Sequence, residues 1–380
     1  MQSIIKYIFQ DKYMFVASAF LLSLLISYTI YPVILYLNHK KHLSQIPNKR
    51  STHIVPTPTL GGVPIYIAFM IATSIFSVFS YDDTHVSNII ALRSCLTIVF
   101  FSGIKDDLIG VSYKKKLITQ IIAASLLLIL THASINNLQG LFNIYTLPNV
   151  YASVFTVFVF VIIINSYNLI DGIDGLASSF AIICSIAFGI FFIINNAVID
   201  SLISFSITGC LIIFFINNIS KKRKIFMGDS GSMTVGFILA YQLISFINVN
   251  QLNPYTFFIK NTPVVVFALF SFPVIDTCRI FIIRLINKKP PFKADNNHLH
   301  HKLLRLGLSH LKATLVVFIY TTVITSIAIA LQNLNINIHF LSILIISICL
   351  ISIPFFISHH NSKYKLSIPC VKCSHTKKHV

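Results

Sequence analysis

Apolar residues run along this chain in blocks of about twenty, interrupted by short polar segments. A bilayer hydrocarbon core of ~30 Å needs about 20 apolar residues per helix. By that measure the sequence predicts eleven spans, near 13–37, 60–80, 88–104, 117–134, 151–167, 176–195, 198–217, 231–249, 261–286, 313–331 and 338–357. The third and fifth are short, and Asn195-Asn196 alone separates the sixth from the seventh. The pattern gives an all-α fold, a polytopic integral membrane protein of about 11 transmembrane helices. The sequence shows neither an internal repeat nor a loop long enough for a soluble domain, so residues 1–380 read as one membrane-embedded unit. Within 287–312, the run LHHKLLRLGLSHL suggests a short interfacial helix. The first apolar stretch is too long for a cleaved signal segment.

Charge supports this division. Mean hydropathy is +0.80 and 55% of residues are hydrophobic, which excludes a soluble multidomain protein. Alternate loops 38–59, 105–116, 165–175, 218–230, 287–312 and the tail 358–380 carry 23 Lys and Arg, against 3 in the opposite set. That asymmetry predicts a cytoplasmic face for the first set, with the N-terminus outside and the C-terminus inside. The net charge of +18 therefore reads as a cytoplasmic surface facing membrane lipids, and nucleic acid is not an expected partner. Five of seven cysteines (Cys95, Cys184, Cys210, Cys278, Cys349) lie in apolar segments and are expected as buried thiols. The tail pair Cys370 and Cys373, with His375 and His379, is a weak zinc pattern that a disordered tail explains as well.

All eleven acidic residues are aspartates, and most gather in the basic loops. Asp106-Asp107 precede Lys114–Lys116; adjacent carboxylates resist joint ionisation unless a cation or proton relieves them. Lys116 suits a phosphate contact, although snorkelling from the membrane explains an isolated lysine equally well. In NLIDGIDG (168–175), Asn168, Asp171 and Asp174 recur every three residues, which aligns them on one side of a helical turn. Gly172 and Gly175 there leave room for a ligand or metal. FMGDSGS (226–232) sets Asp229 ahead of a helix expected near Gly231, whose free N–H groups suit a phosphate; an ordinary N-cap uses the same residues. Asp295, His298, His300 and His301 form a cluster suited to phosphate contact. Asp276, one turn from Arg279, fits an internal ion pair or a catalytic group.

Taken in order, PTPTLGG (56–62), the Asp106-Asp107 pair with Lys116-x-x-x-Gln120, NLIDGIDG, FMGDSGS, PVIDT (273–277) and HLHH resemble the polyprenyl-phosphate N-acetylhexosamine-1-phosphate transferases over about residues 47–311. The resemblance implies attack of undecaprenyl phosphate on the β-phosphate of a UDP-sugar, release of UMP, and initiation of a cell-surface polysaccharide in the bacterial cytoplasmic membrane. It implies Asp106, Asp107, Asp171 and Asp174 as catalytic carboxylates. Asp229 corresponds to a ligand of Mg²⁺, with Mn²⁺ as a substitute. Lys116, Asn168, His298, His300 and His301 correspond to substrate-binding groups, with Asn217 or Asn218 matching an asparagine upstream of the GDxGS motif. HLHH in place of a PxHHH motif is similar to the WecA/TagO-like branch, whose usual donor is UDP-GlcNAc. Asn296-Asn297 depart from the basic residue common there, which keeps UDP-FucNAc and UDP-QuiNAc as alternative donors; UDP-MurNAc-pentapeptide is a further alternative from the superfamily. A second copy of the chain is a further candidate partner. A transporter or flippase is the competing class, but it would place its ionisable residues near the bilayer midplane in repeated halves.

Overall fold

The computed structural model describes residues 11–41, 44–45, 57–79, 83–252, 257–288 and 298–365. Each of the eleven expected spans is a helix. These are α1 (Lys12–Lys41), α2 (Gly62–Ser77), α3 (Asp83–Ile109), α4 (Tyr113–Thr131), α5 (Asn149–Ile170) and α6 (Leu176–Ile194). Then follow α7 (Val198–Ile219), α8 (Gly228–Leu252), α9 (Thr262–Ile286), the short α10 (Leu299–Arg305), α11 (His310–Ala330) and α12 (Ile336–Lys365). Among the described residues nine helices are long and apolar enough to cross a bilayer. The other two differ for simple reasons: α2 has only 16 residues, and α4 opens with three lysines. The interfacial helix expected after Pro291 is α10. Asp295 and the Cys370/Cys373 tail lie outside the described residues.

The helix with least access to the surroundings organises the rest. In α8, 89% of the most apolar stretch is buried, against 22% in α1 and in α12. Helices α3 and α5 pack on α8, while α1 and α6 pack on α7. A helix apolar all round belongs inside, whereas one buried on a single stripe belongs at the rim. Leu21, Leu25, Leu341 and Ile345 accordingly face outward from α1 and α12, as a lipid-facing surface requires. Cys95, Cys184 and Cys210 are buried and free as expected, but Cys278 and Cys349 are exposed. Both sit on the outer stripes of α9 and α12, where an apolar thiol meets lipid rather than core.

Two small antiparallel ribbons interrupt the helices. Strands β1 (Ser44–Gln45) and β2 (Thr57–Pro58) pair, as do β3 (Asn137–Leu141) and β4 (Ile144–Thr146). Phe142 and Asn143 both adopt positive φ at the turn of the second ribbon, the backbone that a two-residue hairpin demands. The segment after β2 braces the aspartate-bearing loop before α8. Gly61 N–H donates to Phe226 O and Gly62 N–H to Met227 O, both at 2.9 Å, and Phe226 N–H donates to Pro58 O at 2.8 Å. Tyr31 Oη adds a hydrogen bond to Gly61 O at 3.0 Å.

Candidate active site

The C-terminal ends of α3 and α5 and the N-terminal ends of α4 and α8 meet at one end of the bundle. Helix α3 runs past its expected end at 104, so Asp106 and Asp107 stand on its last turns rather than in a loop. Neighbouring residues on a helix diverge by about 100°, and the two carboxylates take different partners. Asp107 turns to the start of α8, where Oδ1 accepts the Asp229 N–H at 2.7 Å and Oδ2 the Ser230 N–H at 3.0 Å. Both are donors that a helix leaves orphaned at its first turn. Two of the N–H groups expected to suit a phosphate at this helix start are thus taken by Asp107. The helix also begins at Gly228, three residues earlier than expected. Gly228 has φ +69°, and a side chain there would collide with Thr59 O and the Asp107 carboxylate.

Asp106 faces Lys116 instead. Lys116 Nζ lies 2.7 Å from Asp106 Oδ2 and 2.9 Å from Asp229 Oδ2, so one ammonium joins two carboxylates from α3 and α8. Snorkelling is thereby excluded for this lysine. Asp106 Oδ1 also accepts the Val111 N–H at 2.6 Å. Asn168 Nδ2 donates to Asp229 Oδ1 at 2.8 Å, and Ser232 Oγ holds Asn168 Oδ1 at 3.1 Å. Asp229 is thus fixed by Lys116, Asn168 and its own capped N–H. Gln120, one turn after Lys116, instead pairs with Asn165 at 2.6 Å, tying α4 to α5.

Asp171 is the C-cap of α5. Among the described residues its carboxylate has no hydrogen-bond donor. Burial, and then the nearby carboxylates of Asp229, Asp107 and Asp174, hold Asp171 well above the usual carboxylate range. A cation beside it would relieve both causes. No three His, Cys or Asp side chains among the described residues converge as a metal cage. A magnesium ion asks for less, since it binds through one or two carboxylates and fills its other positions with water and phosphate oxygens. The donor set fits that demand: Asp171 lacks a partner, Asp229 lies close by, and Lys116 is a single positive charge among several carboxylates.

Asp174 lies near enough to raise Asp171 but takes other partners. The α5 helix ends before it, so the three-residue spacing from Asp171 no longer sets a shared face. Its Oδ2 lies 2.6 Å from Lys224 Nζ and 2.9 Å from His310 Nδ1. Burial works to raise this carboxyl, but hydrogen bonds from His310 and Lys224 outweigh it and hold Asp174 below its usual value. Asn218 joins the two loops: Oδ1 accepts the Gly175 N–H at 2.6 Å and Nδ2 donates to Ile225 O at 2.8 Å. Asn217 Nδ2 returns to Ile213 O of its own helix. The Asn218 amide is therefore engaged with backbone through both its atoms, whereas Asn217 is engaged only through Nδ2.

The histidines sit against the same loop. His298 and His300 rings are nearly parallel, with centroids 5.6 Å apart, and His301 lies 4.3 Å beyond His300. The room left at Gly172 is taken by His300, whose Nε2 would collide with any side chain there. Burial, and then the neighbouring His301 and His298, keep His300 well below the usual histidine range. The ion pair expected at Asp276 is present, with Arg279 at 2.7 Å, and it extends to His298 Nδ1 at 2.9 Å. Sequence reasoning missed that link, along with His310 and the bracing role of Thr59–Gly62. For His310, the SHLK stretch opening a helix was the available signal.

Residues 89–247 match the model of a family described as glycosyl transferase family 4. This range contains the carboxylate cluster and ends before the histidines. The chain is 28% identical over 337 residues, 88% of each chain, to a probable undecaprenyl-phosphate N-acetylglucosaminyl 1-phosphate transferase of Bacillus subtilis. It is 30% identical over 299 residues to the decaprenyl-phosphate N-acetylglucosaminephosphotransferase of Mycolicibacterium smegmatis, covering 73% of this chain and 72% of the relative. Identity to the undecaprenyl-phosphate alpha-N-acetylglucosaminyl 1-phosphate transferase of Escherichia coli K12 is 23% over 287 residues, or 74% and 75% of the two chains.

Proposed function

The chain belongs to glycosyl transferase family 4 as a member of the polyprenyl-phosphate N-acetylhexosamine-1-phosphate transferase superfamily, and from that premise we propose that it moves GlcNAc-1-phosphate from UDP-GlcNAc to undecaprenyl phosphate. An oxygen of the lipid phosphate attacks the β-phosphorus of the donor. The bond from that phosphorus to the bridging oxygen breaks, UMP leaves, and a lipid diphosphate sugar remains. The observation that carries the reading is the convergence of Asp106, Asp107, Lys116, Asn168, Asp171 and Asp229 at one end of a membrane bundle. A lipid phosphate and a water-soluble nucleotide can meet only at such a surface.

Phosphoryl transfer rests on positioning and on stabilising charge. Asp229 and Asp171 would hold Mg²⁺, which when bound neutralises charge on the diphosphate oxygens. Lys116 bridges Asp106 and Asp229 and stands ready to exchange one of those carboxylates for a phosphate oxygen. Asp107 fixes the start of α8, and Asn168 fixes the rotamer of Asp229. The excess of Lys and Arg in the loops at this end supports a cytoplasmic orientation, the side on which nucleotide sugars are available.

The test uses the full chain in detergent with undecaprenyl phosphate and a panel of UDP-sugars, following UMP with Mg²⁺ and with EDTA. UMP from UDP-GlcNAc that EDTA abolishes and Mg²⁺ restores is the expected result. Release only from another UDP-N-acetylhexosamine corrects the sugar. Folded protein that yields no UMP from any donor overturns the proposal.

A further inference from the structure

Asp276 and the histidine stack hold a feature that the transfer chemistry above does not use. Asp276, on α9, is 1% exposed and His298 is 4% exposed. Asp276 Oδ2 holds His298 Nδ1 at 2.9 Å, and the same carboxylate accepts the Leu299 N–H at 3.2 Å. Arg279 secures its Oδ1 at 2.7 Å. One buried carboxylate therefore anchors both the first residue of α10 and the ring of its N-cap histidine. With Nδ1 engaged, Nε2 is the ring nitrogen left to His298, and among the described residues nothing bonds it. His300, stacked beside it and 1% exposed, has neither ring nitrogen bonded. Buried polar groups ordinarily find partners. The two buried, unbonded nitrogens of His300, packed on Gly172 beside Asp171, and the free Nε2 of the His298 ring stacked on it mark a place for a polar ligand.

We infer that Asp276 is a positioning residue for the donor diphosphate: it holds His298 by Nδ1 and thereby presents Nε2 to a phosphate oxygen. The inference rests on the transfer reaction proposed above and adds the group that orients its donor. The carboxylate on Nδ1 makes that nitrogen a donor and fixes the ring plane. Nε2 donates to a phosphate oxygen when it carries a proton of its own, and Asp276 then balances the ring from behind. The arrangement follows the logic of a histidine that meets its ligand through one nitrogen while a carboxylate orients it through the other.

The experiment is a double-mutant cycle on UMP release, with kcat and KM measured for donor and lipid separately. Asp276→Asn and His298→Ala should each lower kcat/KM for the donor by roughly 100-fold, the scale of a misplaced contact, and leave the KM for undecaprenyl phosphate unchanged. The double variant should be no worse than His298→Ala, because Asp276 acts through that ring. His298→Asn supplies a second reading should Asp276→Asn fail to fold. Its amide keeps a donor to Asp276 but lacks the distal nitrogen, so it should be as impaired as His298→Ala. Multiplying losses in the double variant, or full activity in His298→Asn or Asp276→Asn, would overturn the inference while the transfer reading stands. A folded wild type that releases no UMP overturns that reading and this inference with it.

Discussion

Replacing Asp107 with asparagine separates two roles that its position beside Asp106 leaves confounded. The wild-type carboxylate accepts two backbone donors at the start of α8, at 2.7 and 3.0 Å. Asparagine offers one carbonyl oxygen and turns an NH₂ toward the second N–H, so one bond is lost outright and the other loses its charge. A hydrogen bond to a charged acceptor contributes ~1.5–3 kcal/mol, and a neutral one about 1. Loss of a negative charge from the positive end of the helix adds roughly 0.3–1 kcal/mol. These losses sum to about 2–6 kcal/mol; asparagine returns part of them because it leaves no half-buried charge to desolvate, so the expected net destabilisation is about 1–3 kcal/mol. For a chain of this length that corresponds to a fall in Tm of only a few degrees, since large unfolding entropies dilute each kcal/mol. A thiol-reactive dye in detergent reads it directly, because Cys95, Cys184 and Cys210 are buried and free and become reactive on unfolding, above a baseline from Cys278 and Cys349. Activity should fall in the same variant, because Asp229 follows the helix start that Asp107 fixes. Unchanged Tm with abolished UMP release would refute the reasoning and return Asp107 to the substrate.

Two further substitutions test opposite electrostatic signs. Asp171→Asn should abolish turnover yet raise the stability of metal-free protein at neutral pH. Its folded carboxyl is held above the unfolded value, so ionisation destabilises the fold progressively as pH rises from about 4 toward the folded value; a Tm below wild type at pH 7 in EDTA would sink this. Asp174→Asn should lower Tm at neutral pH by removing the partner of Lys224 and His310. The Asp174 carboxyl is held below its unfolded value, so its contribution is present above about pH 4 and fades as pH falls through the lower folded value. A difference between wild type and variant that stays constant down to pH 3 would contradict that account.

The spans were legible because bilayer thickness fixes the length of an apolar block, and no tertiary contact is needed to read it. The gathering of the motif residues was also legible, since Asp106, Lys116, Asn168, Asp171 and Asp229 meet at one end of the bundle. What sequence spacing could not supply was the direction of each side chain. Asp106 and Asp107 are adjacent, yet one meets Lys116 and the other caps α8, because a helix turns about 100° between them. Asp171 and Asp174 carry the regular spacing of one helical face, yet α5 ends at Ile170 and leaves them in different surroundings. Asn218 read as a substrate group, and its amide instead joins Gly175 to Ile225.

These departures share a cause. Each concerns a polar residue at a helix end, where four N–H or four C=O groups lack partners and a side chain can serve the backbone as readily as a ligand. Asp107 and Asn218 serve the backbone; Asp276, from within α9, serves both backbone and ring. Asp171 and the unbonded nitrogens of His298 and His300 serve nothing within the described chain. On the transfer reaction proposed above, the groups left over at this end are where a phosphate and its counter-ion would belong. That distinction depends on contacts across residues 22 to 123 apart in sequence, so only the folded chain can draw it.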